Sequence, residues 1–97
     1  MTSKLPSVIA SLSIHKIDSG LYDFTVSCSG QPLYEDAGFS SVTEAIVAAI
    51  QQEGPIRGFE LSYGSIVIGT YLCEELKADA AGIADHAMER RAVLREN

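Results

Sequence analysis

The chain has no tryptophan, three prolines, two cysteines and only seven basic residues against 13 acidic ones. Each scarcity closes off a class of function. A formal charge of −6 leaves no clustered Lys and Arg to track a phosphate backbone, so nucleic acid is not an expected partner. The deficit is uneven. Residues 1–76 hold three basic groups (Lys4, Lys16, Arg57) and nine acids, whereas residues 77–97 hold four of each. An acidic body keeps the protein dispersed and favours basic partners. No apolar run is long enough to cross a bilayer as a helix, so no membrane partner is expected. The opening "MTSKLPSVIASLSI" is broken by serines and lacks the apolar core of a secretory leader. Together with the low cysteine count, this predicts a reducing, cytoplasmic setting.

Cys28 and Cys73 form no CxxC pair, and neither histidine lies at a metal-ligand spacing. No metal site and no cofactor are therefore expected. Glu74 and Glu75 beside Cys73 would raise its thiol pKa, which is wrong for a reactive thiolate. The glycines of "GPIRGF" and "YGSIVIG" do not join a strand to a helix in the manner of a phosphate-binding loop.

What the chain does hold is 46% hydrophobic residues over a length that fits one domain, 1–97. Two stretches alternate with period two around Asp18-Ser19-Gly20. A loop ending in glycine suits a three-residue hairpin, because glycine takes positive φ without steric cost. With Ile17 opposite Leu21, the register sets Ile14 against Phe24, Leu12 against Val26 and Ala10 against Cys28. The reverse side then pairs His15 with Asp23, Ser13 with Thr25 and Ser11 with Ser27. A slip of one residue would spoil both faces together.

Ser29-Gly30-Gln31-Pro32 marks a turn, and residues 33–37 are a weak third strand whose Glu35 and Asp36 suit an edge. Ser41-Val-Thr-Glu44 is a capping box. Val42, Ala45, Ile46, Ala49 and Ile50 follow as an apolar stripe, closed by Gly54-Pro55. A second hairpin turns at Gly64-Ser65, predicting Tyr63 opposite Ile66, Leu61 opposite Ile68 and Phe59 opposite Thr70. The segment 72–78 fits either strand or helix. The reading adopted runs a strand to about Cys73 and a helix from near 77 to 94. Its Ala80, Ala81, Gly82, Ala84 and Ala87 would let that helix lie close to a neighbour.

The predicted fold class is α+β. It comprises an antiparallel sheet of four or five strands, in the order β-β-(β)-α-β-β-α, with two helices on one face. The other face would carry His15, Asp23, Ser13 and Thr25, joined by apolar Ile9, Ile17, Leu21, Val67 and Tyr71. His15 and Asp23 could orient a general base. An open sheet, though, offers neither pocket nor oxyanion hole, so a surface pair is expected rather than catalysis. On the last helix, His86 and Glu89 share a face, and Arg90, Arg91 and Arg95 form a basic spot.

The segment Leu21 to Ile50 resembles small antitoxin domains of the HicB type. There a sheet is followed by a "T-EEA" helix, here "SVTEAIVAAI". The resemblance implies sheet followed by helix and carries over no functional residue. Two functions are expected from the residues. The first is a non-catalytic protein-interaction or regulatory module, acting as a homodimer or through its sheet face. His15, Asp23, Ser13, Thr25, Val67 and Tyr71 are its candidate binding residues. The alternative is a small-ligand binder or enzyme whose pocket lies between sheet and helices, using Tyr22, Tyr63 or His15.

Overall fold

The computed structural model describes residues 8–51 and 56–95. Strands β1 (Val8–Asp18), β2 (Leu21–Cys28) and β3 (Gln31–Phe39) form a meander and are followed by helix α1 (Val42–Ile50). Strands β4 (Ile56–Tyr63) and β5 (Ile66–Leu72) then lead into α2 (Cys73–Ala78) and α3 (Ala80–Arg95). The fold is α+β, with a five-stranded sheet in the order β3-β2-β1-β4-β5.

The first hairpin has the expected register from Ser11↔Ser27 to His15↔Asp23. At its closed end it departs. Asp18, not Ile17, pairs with Leu21, and Ile17 is bulged out between Lys16 and Asp18. The turn needs only Ser19 and Gly20, and Gly20 takes φ 71°. Asp18 closes it by accepting the Ser19 amide at 2.7 Å.

The sheet is mixed, not antiparallel. β1 and β4 run parallel, with Leu12 beside Leu61 and Ile14 beside Tyr63. The cause is the third strand. Gln31–Phe39 is a full strand of nine residues, so the chain reaches the helix after three passes. The α1 return then delivers β4 to the end where β1 began, and the central pair must be parallel.

α1 starts as its sequence dictates. Ser41 Oγ accepts the Glu44 amide at 3.1 Å, and Glu44 reaches back to accept the Ser40 amide at 2.9 Å. The reach-back lands one residue before the cap. The whole predicted stripe is buried, from Val42 to Ile50. Full burial of Val42, Ile46 and Ile50 is worth about 1.5–3 kcal/mol each, before the entropy of ordering them. The Gly54-Pro55 stop lies outside the described residues. Beneath α1, the sheet contributes Ala10, Leu12, Ile14, Phe24, Val26, Phe59, Leu61 and Tyr63 to the same core.

The second hairpin corrects the expected register. Tyr63 does pair with Ile66, but Leu61 faces Gly69 and Phe59 faces Tyr71. The register shifts between Leu61 and Ser62, which leaves Ile68 as the extra residue. An extra residue moves every later side chain to the opposite face. The segment 73–78 is a short helix of its own, giving three helices instead of two. Leu72 ends the strand, and its amide is accepted by Glu75 Oε1 at 2.7 Å. Asp79 separates α2 from α3 and caps the latter, its Oδ1 accepting the Gly82 amide at 3.2 Å. Leu76, Ala80, Ile83, Ala84 and Ala87 are buried, whereas Ala81 and Gly82 of the expected close-packing set are exposed.

Candidate functional site

With the helices packed on one face, the opposite face of the sheet is left bare. Side chains paired across neighbouring strands point to the same side, so the registers define its rows. One row runs Glu35, Thr25, Ser13, Ser62, Val67, and the next runs Ser27, Ser11, Glu60, Thr70. A third brings Ala37, Asp23 and His15 together. His15 Nδ1 and Asp23 Oδ1 meet at 3.1 Å, with the imidazole 46% and the carboxylate 30% exposed.

Ser13 lies two residues from His15 along the strand, roughly 6.6 Å away, and faces Thr25. No hydrogen bond joins either hydroxyl to the imidazole among the described residues. The four polar candidates thus share one face without forming a relay. Val67 belongs there too, at 52% exposure. Tyr71 does not. The Ile68 bulge turns it to the helix side opposite Phe59, where it packs against the core. The hydrophobic corner of the bare face is made instead by Ile9, Leu72 and Gly58, which pair side by side.

The two edges of the sheet differ in kind. β3 carries Pro32, Glu35 and Asp36, and its pairing with β2 is interrupted twice. Proline, charge and bulges are the devices that blunt an edge. β5 reads "IVIGTYL", with no charge and no proline. Its outer backbone groups pair with no strand among the described residues.

A cleft of about 210 Å³ opens between the sheet and the C-terminal half of α3, lined by Lys16, Tyr22, Tyr63, Met88, Arg91 and Ala92. The Tyr22 and Tyr63 rings lie 6.5 Å apart at 42°. Arg91 is fixed twice: Nη1 donates to the Gly64 carbonyl at 2.7 Å, and the guanidinium carbon sits 5.3 Å above the Tyr63 ring centre. A Cβ on Gly64 would collide with that guanidinium. Of the residues expected to serve a pocket, Tyr22 and Tyr63 meet here, while His15 lies on the far side of the sheet. Lys16 and Arg91 were not among the expected site residues. Lys16 was legible, since it alternates onto the face of Ile14. Arg91 was visible only as part of a basic spot.

The thiols are half-buried and free. Burial is the main cause that raises the Cys73 pKa, with Glu74 adding to it and Lys77 and Arg57 opposing. Its Sγ donates to the Ile56 carbonyl at 3.6 Å. A second, acidic hollow lies between β2 and β3, bordered by Asp23, Glu35 and Asp36. Among the described residues, no three His, Cys, Asp or Glu side chains gather closely enough to hold a metal ion. No described helix is long and apolar enough to cross a membrane.

In comparisons with known proteins, no family model, no curated protein and no solved structure matches this chain. The likeness of residues 21–50 to HicB-type antitoxins therefore rests on a capping box and an amphipathic helix alone.

Proposed function

We propose that this protein is a non-catalytic interaction module that works as a homodimer, two copies pairing antiparallel along β5. The observation that carries this reading is the contrast between the sheet's two edges. β3 is guarded by proline, carboxylates and bulges, whereas β5 is uncharged and exposes Val67 and Leu72 at 52% and 43%. A two-fold contact of this kind is self-complementary and sets each apolar pair beside its copy.

The net charge of −6 opposes any pairing of copies, but within the sheet that repulsion is small. With strands about 4.8 Å apart, the two Glu60 side chains would be about 14 Å apart, beyond the screening length of about 8 Å. The acids of β3 would sit at the far ends of a ten-stranded sheet. Face-to-face stacking is the poorer solution, because Ser11, Ser13, Ser27, Thr25 and Ser62 make the centre of the bare face polar. A cytoplasmic setting suits the two free thiols, which stay reduced there.

Sedimentation velocity at micromolar concentration tests the reading. The expected species has twice the 10.4 kDa chain mass, and Val67→Lys returns it to the monomer. Val67 is more than half exposed, so the fold tolerates the change. A wild-type monomer, or a Val67→Lys dimer, overturns the pairing.

A second reading is supported by the cleft under α3, where Tyr22 and Tyr63 converge. There the protein would bind a small molecule. At about 210 Å³ the space is below the usual 300–1,000 Å³ of a drug-sized site, so a one-ring ligand is the right scale.

A further inference from the structure

We infer that the cleft between Lys16 and Arg91 binds a small aromatic acid, its anionic group held by the two cations and its ring laid against Tyr22, Tyr63 and Met88. The inference rests on the reading of that cleft as a ligand site and names the class of ligand. Three observations carry it. First, the charge is of one sign. This chain has 13 acids and seven bases, yet none of the six lining residues is a carboxylate. Lys16 has no ion-pair partner among the described residues.

Second, the guanidinium is already in place. The Gly64 carbonyl takes one N–H, and a cation–π contact with Tyr63 at 5.3 Å holds the guanidinium over that ring. A guanidinium has five N–H donors, and no second hydrogen-bond partner engages the others among the described residues, leaving them for a planar anion. Such a group loses little freedom on binding, which favours affinity. Third, the remaining walls are Tyr22, Met88, Ala92 and the small exposed part of Tyr63. Two tilted tyrosines and a polarizable methionine suit a flat apolar body. The space equals about seven water volumes at about 30 Å³ each, enough for one ring and its acid group.

Amide and side-chain NMR during titration with benzoate, phenyl phosphate and neutral benzyl alcohol tests this. The two anions separate carboxylate from phosphate preference, and binding of either supports the inference. Shifts confined to Lys16, Tyr22, Tyr63, Met88, Arg91 and Ala92 are expected. Lys16→Gln should weaken anion binding about tenfold, the cost of about one charge-assisted contact, and leave the rest of the spectrum in place. Added salt should weaken it as well. Benzyl alcohol binding as tightly as the anions would overturn the anionic assignment while leaving a ligand cleft. Absence of shifts with all three probes would remove both.

Discussion

Replacing Tyr34 by phenylalanine removes one hydroxyl and nothing else, and that hydroxyl ties the β3 edge to α1. Tyr34 Oη donates to the Ala49 carbonyl at 2.9 Å. Ala49 lies in the last turn of α1, whose carbonyls have no partner within the helix. The ring stands edge-on to Phe24, with centroids 6.1 Å apart at 85°, and phenylalanine keeps that contact. The loss is therefore one neutral hydrogen bond, about 0.5–1.5 kcal/mol. Ala49 is fully buried, so the freed carbonyl is not readily rehydrated and the cost should be at least about 1 kcal/mol. For a chain of this size that lowers Tm by about 4–8 °C.

Alkaline pH gives an independent check. Burial raises the Tyr34 pKa above its ordinary 10.0, with Cys73 adding to the shift. The unfolded chain thus releases this proton first as pH rises. Stability from this group is whole below about pH 10 and falls as pH climbs toward the folded pKa. Urea unfolding followed by circular dichroism should show Tyr34→Phe less stable at neutral pH and less sensitive to alkali than the wild type. An unchanged midpoint at neutral pH would refute the tie between β3 and α1.

Two further substitutions probe the frame. A Cβ on Gly58 would sit 2.6 Å from the Tyr71 carbonyl oxygen and 3.1 Å from Ile9 Cδ1. Gly58→Ala should therefore push β5 outward and cost about 1–3 kcal/mol, read from the urea midpoint. The Glu44 carboxyl is held below its ordinary 4.5 by its bond to the Ser40 amide. That contribution is present above about pH 4.5 and is lost as pH falls through the folded pKa. Glu44→Gln should flatten the acid limb of thermal stability measured between about pH 6 and about pH 3.

How far the fold was legible depended on whether the period held. Ser11 to His15 and Asp23 to Ser27 alternate without interruption, so their pairing followed from the pattern alone. β3 hides because its ladder breaks twice: neither Leu33 nor Gly38 has a partner on β2. With that strand in doubt, the direction of β4 was in doubt as well. Ile68 hides for the same reason. Nothing in "SIVIGTY" marks the extra residue that sends Tyr71 to the core. Residues 72–78 keep helical spacing across Asp79, so the break between α2 and α3 left no trace in the apolar pattern. Of the cleft, Tyr22 and Tyr63 were legible as aromatic residues on the core face. Its Arg91 became legible only when the β4–β5 turn was seen to meet α3.

The edge of β5 is the place where the account is most exposed. Hydrogen exchange of the Ile66–Leu72 amides that point away from β4, followed over a dilution series, tests it directly. The account predicts slow exchange at high concentration that quickens as copies separate. Exchange as fast as in the turns at every concentration would contradict it.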